Sequence, residues 1–498
     1  MEQAIELAIV FVVLAPFLRL MTSPPFLRRL GTAPGPAVGG AGALIGAIGI
    51  SSWAALNEPW ILRSLSAGSI VALSVGWWRA RPDFGRNRGL PPGSLSVAAL
   101  GPWVDPDFFA KQAARHGAIF KTSSLIKPTV CVVGWPLALD LFRNHDESLT
   151  APAARFSRNI PRGFVRYMSD PDHARYSPLL RSALSPTITR RAEAQIGESV
   201  RSSLQLAANK ASARPDKGVA ANKLISRIVL LAFIRLFYGA DPRSTDAERL
   251  IRLHRTVDPT RAWRSSDRAV RDSLDQLAGF ARIHATDDSF IGSALRANPA
   301  NAQDDTLLKN LIYMVQTSHS DVSGLLTWVI WHLTRDPTWV TRLRADDDSD
   351  QAARRIVMET LRLEQSEYIS RRTTREIRWQ GFVIPRGWRV RICVRENHRD
   401  PSLFNAPERF DPDRFRDAQP SRETYSVFGA PATRTSCLGP NLTLTLGGIF
   451  VRELVQGFDW SATREAPPEF SGVHWRPSTR FQIALRSHRQ GTLETHAC

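Results

Sequence analysis

The 498-residue sequence predicts a mainly α-helical catalytic unit with small β-sheets, an α+β fold, preceded by N-terminal transmembrane helices. Three observations lead to that expectation. Apolar runs crowd the first 80 residues, apolar side chains recur at helical spacing around Glu359-Thr-Leu-Arg362, and an ordered series of charged and proline-containing motifs ends in a loop around one cysteine.

Residues 1–80 read as a membrane anchor. Residues 4–17 are apolar apart from Glu6, residues 36–56 carry no charge, and residues 65–78 form a third apolar run flanked by Arg63, Arg79 and Arg81. The second run is long enough to span a bilayer, which takes about 20 apolar residues. The first and third approach that length when residues 18–21 and 60–62 are included and their arginines snorkel to the interface. A signal peptide fits the first run poorly, because Glu2 and Glu6 stand where a basic region belongs and no Ala-x-Ala site follows. Arg19, Arg28 and Arg29 in the first loop, with Arg79, Arg81, Arg86 and Arg88 after the third run, favour three spans and place the catalytic domain in the cytoplasm. In a eukaryote the membrane would be the endoplasmic reticulum. A single span with two interfacial stretches is the other arrangement. A basic, proline-rich hinge over residues 81–98 then leads to a catalytic domain over residues 99–498.

The net charge is +18, from 65 Lys plus Arg against 47 Asp plus Glu. The basic residues are dispersed and no nucleic-acid module is recognisable, so the charge points to anionic lipid and an acidic protein partner rather than to nucleic acid. Arg422, Arg434 and Arg452 are candidates for the partner's face. The cysteines, at 131, 393, 437 and 498, show no C-x-x-C spacing, which argues for a reducing compartment and against structural zinc.

In the loop from Tyr425 to Gly439, Cys437 sits among Phe428, Gly429, Arg434 and Gly439. A metal-bound thiolate needs backbone N–H groups aimed at its sulfur and, for a porphyrin, cations beside the propionates. Alone, such a cysteine reads more often as a small buried hydrophobe than as a ligand. Glu359 and Arg362, three apart on a helix flanked by Ile356, Val357, Leu361 and Leu363, read alone as a surface ion pair. What changes both readings is the succession of Arg372, Gly381-Phe-Val-Ile-Pro-Arg-Gly387, His398-Arg-Asp-Pro401, Pro407-Glu-Arg-Phe410, Phe410-Asp-Pro-Asp-Arg-Phe415 and the cysteine loop. This order resembles the cytochrome P-450 family of haem-thiolate monooxygenases.

The resemblance runs from about residue 90 to 490. It takes in Leu90-Pro-Pro-Gly93 as a hinge, residues 109–121 as a helix leading into a strand, residues 172–186 as a helix near the propionates, residues 306–337 as the long central helix, and residues 476–485 as a closing hairpin. It implies a cytochrome P-450 fold and haem b, with Cys437 as the iron ligand. Arg434, Arg372 and His173 become propionate partners, and Glu359, Arg362 and Arg414 a structural charge network. O2, a lipophilic substrate of secondary metabolism, and an acidic electron donor, either a reductase or a ferredoxin, are implied as partners. The reaction implied is hydroxylation or epoxidation.

Three departures accompany the match. Phe428 stands nine residues before Cys437 and Arg434 three before, a longer loop than the family's usual one. Ser177 occupies a position where an arginine is common, so Arg175 or Arg181 is the expected substitute. In the central helix, Thr317-Ser-His-Ser-Asp-Val322 replaces the usual acid-then-alcohol pair, inverting its order to Ser320-Asp321. Either Ser320 and Asp321 perform the proton relay with exchanged roles, or His319 and Asp321 serve acid–base chemistry in an enzyme that rearranges or dehydrates its substrate without activating O2. A third possibility is that the serines merely bond back to the helix. A non-catalytic scaffold fits least, since it has no need of the ligand.

Overall fold

The structure is a computed structural model describing residues 89–95, 105–124, 127–151, 155–212, 218–257, 267–297, 299–365, 368–417, 421, 424–429, 436–470 and 475–488. The expected anchor lies outside these residues, as does Arg434; among the described residues no helix is long and apolar enough to cross a membrane.

The helices follow in chain order as α1 (Phe108–His116), α2 (Trp135–His145), α3 (Asp170–Ala183), α4 (Pro186–Arg191), α5 (Glu193–Ser212), α6 (Ala221–Tyr238) and α7 (Thr245–Val257). After these come α8 (Asp267–His284), α9 (Phe290–Ala297), α10 (Asp305–Arg335), α11 (Thr338–Ala345), α12 (Ser349–Thr360), α13 (Val394–Asn397) and α14 (Pro440–Gly457). The strands are β1 (Ile119–Ser124), β2 (Lys127–Val133), β3 (Leu149–Thr150), β4 (Val219–Ala220), β5 (Ile369–Thr373) and β6 (Ile377–Trp379). They continue with β7 (Phe382–Ile384), β8 (Arg389–Cys393), β9 (Phe458–Arg464), β10 (Glu469–Phe470), β11 (Trp475–Arg476) and β12 (Gln482–Ser487).

Helices dominate, as the sequence led one to expect, and the sheets are small. Strands run β1-β2-β8-β5-β3 in the largest and β4-β12-β9 in the second; β6-β7 and β10-β11 form two pairs. In the largest sheet only β2 and β8 run parallel. One face of that sheet, with Val130, Val132, Val390 and Ile392, packs on Trp135, Leu139 and Phe142 of α2. The hinge is tied to the sheet. Lys121 N–H donates to Pro92 O at 2.7 Å, and a Cβ at Gly93, whose φ is +112°, would lie 2.2 Å from Lys121 O. Only glycine fits there.

The central helix α10 starts where Asp304 caps it, accepting from Thr306 N (3.0 Å) and Leu307 N (3.1 Å), and stops before Pro337. Its residues 306–316 are buried all round, the polar Lys309, Asn310 and Gln316 included, and the helix packs on α6, α8 and α12. That burial breaks at Thr317-Ser-His-Ser-Asp321, where Asp321 is exposed, and resumes at Val322. Below α10, α12 and α14 pack so closely that a Cβ on Gly447 would meet Val357 at 2.8 Å.

Candidate active site

Behind the cysteine loop lies a fully buried charge network. Helix α12 passes into a π-turn over Leu361–Gln365, which carries Arg362 beneath Glu359. The guanidinium is bidentate on the carboxylate, at 2.8 Å (Nε to Oε2) and 2.9 Å (Nη2 to Oε1), with Glu359 0% and Arg362 1% exposed. Arg414 Nε donates to Glu359 Oε1 at 3.0 Å, and Asp411 N–H to the same oxygen at 2.9 Å. The leftover donors hold the connecting segment: Arg362 reaches His398 O (2.6 Å) and Arg409 O (3.2 Å), and Arg414 reaches Asn405 O (3.0 Å). The structure brings these three sequence-predicted residues together.

The network extends into the loop through His398, which the sequence offered only as part of a motif. Ser426 N–H donates to His398 Nε2 at 3.0 Å. Burial, then the Arg362 and Arg399 charges, pushes this imidazole down to about 3, so it is neutral and accepts. Tyr425 Oη donates to Met358 O at 2.9 Å, fixing the start of the loop to α12. Cys437 N–H donates to Phe428 O at 2.9 Å and closes the loop.

Cys437 precedes Pro440, the first residue of α14, so its sulfur lies at a helix N-terminus, and Gly439 N–H points at Sγ from 3.4 Å. Burial pushes the thiol up; Gly439 N–H, Arg166 and Arg181 pull it down, while Asp321 pushes it up. Three charged groups thus lie within electrostatic reach of the thiol. Arg181 Nη2 donates to Ser436 Oγ at 3.1 Å, whereas Arg175 pairs with Asp304 at 3.5 Å, so of the two arginines proposed for the Ser177 gap only Arg181 reaches the loop. Ser177 itself is buried and His173 half-buried on α3.

Arg372 and Arg371 stand on opposite faces of β5. The Arg372 side chain is exposed, whereas Arg371 is buried, with its guanidinium 5.3 Å from the Phe142 ring. Burial and then the Arg166 charge push Arg371 down to about 10. Arg166 and Arg181, within electrostatic reach of the thiol, suit the propionates and thiolate-bound iron of a haem, so the side chains fit the group expected from the sequence. Reading Ile369, Arg371 and Thr373 as one strand face would have separated Arg371 from Arg372; Arg166 left no sequence signal.

Asp321 of the polar window of α10 lies within electrostatic reach of the Cys437 thiol. Ser320 Oγ accepts from Arg476 Nη2 at 3.1 Å, and His319 Nε2 donates to Ser226 O of α6 at 2.8 Å. Arg452, a candidate for partner docking, is bound to Asp350 at 2.6 Å.

A model of the cytochrome P450 family matches residues 268–483. Abscisic acid 8'-hydroxylase 3 of Oryza sativa subsp. japonica is 24% identical over 420 residues, 74% of this chain and 81% of that protein. Abscisic acid 8'-hydroxylase 1 of Arabidopsis thaliana is 23% identical over 446 residues, 80% of this chain and 91% of that protein. The retinoic acid bound cyanobacterial CYP120A1 structure is similar with a TM-score of 0.66 at 20% identity, covering 80% of this chain and 100% of that one. A myristic acid complex of cytochrome P450EX alpha gives 0.62 at 13%, covering 81% and 100%.

Proposed function

The chain belongs to the cytochrome P450 family as a monooxygenase, and from that premise we propose that Cys437 is its axial haem ligand and that it oxidises a lipophilic small molecule. The observation that carries this is the Cys437 sulfur at the head of α14, met by Gly439 N–H at 3.4 Å and backed by the Glu359–Arg362–Arg414 network. Arg371, Arg166, Arg181 and His173 would hold the propionates. When bound, thiolate-ligated haem supplies the activation of O2.

The side chains of the protein then have separable tasks. Gly439 N–H and the dipole of α14 steady negative charge on Sγ. Asp321 of α10, within electrostatic reach of the thiol, takes the proton-delivery role at its carboxyl oxygen, in the position where an alcohol is usual in the family. Ser320, held by Arg476, and His319, held by the Ser226 carbonyl, fix the turn of α10 that presents Asp321. These two are positioning residues in this reading. The lipophilic character of the substrate is supported by the abscisic acid 8'-hydroxylases among its relatives. Residues 1–80 are assigned to a membrane anchor with the catalytic domain in the cytoplasm, where an acidic electron donor docks.

The test is incubation of the full-length protein with a reductase, NADPH, 18O2 and a panel of terpenoids, steroids and polyketides. Incorporation of one 18O atom into a product supports the reading. Conversion that proceeds without O2 and reductant contradicts it.

A further inference from the structure

Side chains two apart on a strand share a face, and residues registered across strands share it too. In the largest sheet Arg389 of β8 registers with Arg372 of β5 and with Thr129 of β2. Lys127 precedes Thr129 by two, so all three cations stand on one face, the one turned away from α2. Thr122 of β1, registered with Thr129, adds a second hydroxyl to that face.

Like charges placed opposite one another across strands repel. None of the three cations has an ion-pair or side-chain hydrogen-bond partner among the described residues, and Lys127 and Arg389 are half-buried. Burial, then Arg389 and Arg372, pushes the Lys127 amine down to about 8, and burial, offset by Tyr368 and reinforced by Arg372, lowers Arg389. Arg391, the next residue of β8 on the same face, shows how this sheet compensates a cation. Its guanidinium lies 3.8 Å from the Phe109 ring and 3.8 Å from the Tyr368 ring, with Glu396 in electrostatic reach. Nothing comparable serves the row below it. Withdrawing cations from water without a counter-charge is costly, and here the strand register holds two half-buried cations beside a third, exposed one.

We propose that Lys127, Arg372 and Arg389 form a binding site for an anionic group, a carboxylate or a phosphate, on this face of the sheet. The site stands on the sheet alone and needs neither haem nor the assignment of Cys437. Occupation draws a proton onto Lys127, because an anion beside the amine restores its ordinary basicity in the field of Arg389 and Arg372.

The test uses the full-length protein in nonionic detergent, titrated calorimetrically near pH 8 with octanoate, methyl octanoate and inorganic phosphate in two buffers of different ionisation enthalpy. At least one anion should bind 10-fold or more tightly than the uncharged ester, with net proton uptake. Lys127→Gln should lose both the preference and the uptake while keeping the wild-type circular dichroism, and Arg389→Gln should lose the preference. Octanoate favoured over phosphate assigns a carboxylate ligand. The reverse, with weakened binding of Lys127→Gln to phosphatidylglycerol vesicles, assigns a phosphate headgroup. Either outcome upholds the site. Failure of both anions to bind wild type, or binding by Lys127→Gln equal to wild type, overturns it; should Arg389→Gln not fold, Lys127→Gln decides alone.

Discussion

Replacing Arg362 by methionine removes four hydrogen bonds: two charge-assisted ones to Glu359 and one each to His398 O and Arg409 O. The carboxylate stays in place at 0% exposure, with only Arg414 Nε at 3.0 Å and Asp411 N–H at 2.9 Å to hold its charge. Removing one member of a buried pair costs about 3–5 kcal/mol, because the remaining charge is uncompensated. The His398 carbonyl left without a donor puts this site at the upper end, about 5 kcal/mol. Replacing Glu359 as well removes the stranded charge, so Glu359→Met/Arg362→Met should be less destabilised than Arg362→Met by about 1 kcal/mol or more. Guanidinium unfolding followed by both circular dichroism and Soret absorbance measures the series. An Arg362→Met protein within about 1 kcal/mol of wild type would refute the claim that this pair locks the segment behind the cysteine loop.

Three further outcomes are expected. His254 and His398 are both held down to about 3 by burial first, against an ordinary value of 6.5, so their stabilising contribution is complete above pH 6.5 and is lost as pH falls from there toward 3. Each should cost about 1 kcal/mol between pH 6.5 and 5.5, and His254→Gln should remove one proton's worth of slope from the stability profile. Asp321→Ala should keep haem and substrate binding but lower turnover by about 100-fold and divert electrons to peroxide, read as the ratio of peroxide to product. Normal, tightly coupled turnover would exclude the relay. Removal of residues 1–88 should leave a chain that still binds haem, because Pro92 and Gly93, which dock on β1, are retained.

Much of the helical order could be read from the chain. Residues 306–337 were expected as the central helix, which spans Asp305–Arg335, and the Glu359–Arg362 spacing marked the end of α12. Motif order carries such information because each segment has its own local signal, whether a cap, a proline stop or a charge at i+3. Facing was harder to read. Arg371 and Arg372 are adjacent arginines, and only the register of β5 against β8 tells which one turns inward. Likewise the bond from Arg476, 156 residues downstream, to Ser320 could not be read from the α10 motif. Arg166 comes within electrostatic reach of the thiol from a 3-10 turn at Val165–Tyr167 with no motif of its own. Contacts of long sequence separation leave no periodicity, and all three features depend on such contacts.

The most direct test of the account is the carbon monoxide difference spectrum of the reduced protein, taken for wild type, for Cys437→Ala, and for alanine variants of Cys131, Cys393 and Cys498 in turn. The thiolate-type band should be present in wild type, absent in Cys437→Ala and retained in the other three. A thiolate-type band that survives in Cys437→Ala would contradict the assignment on which the site rests.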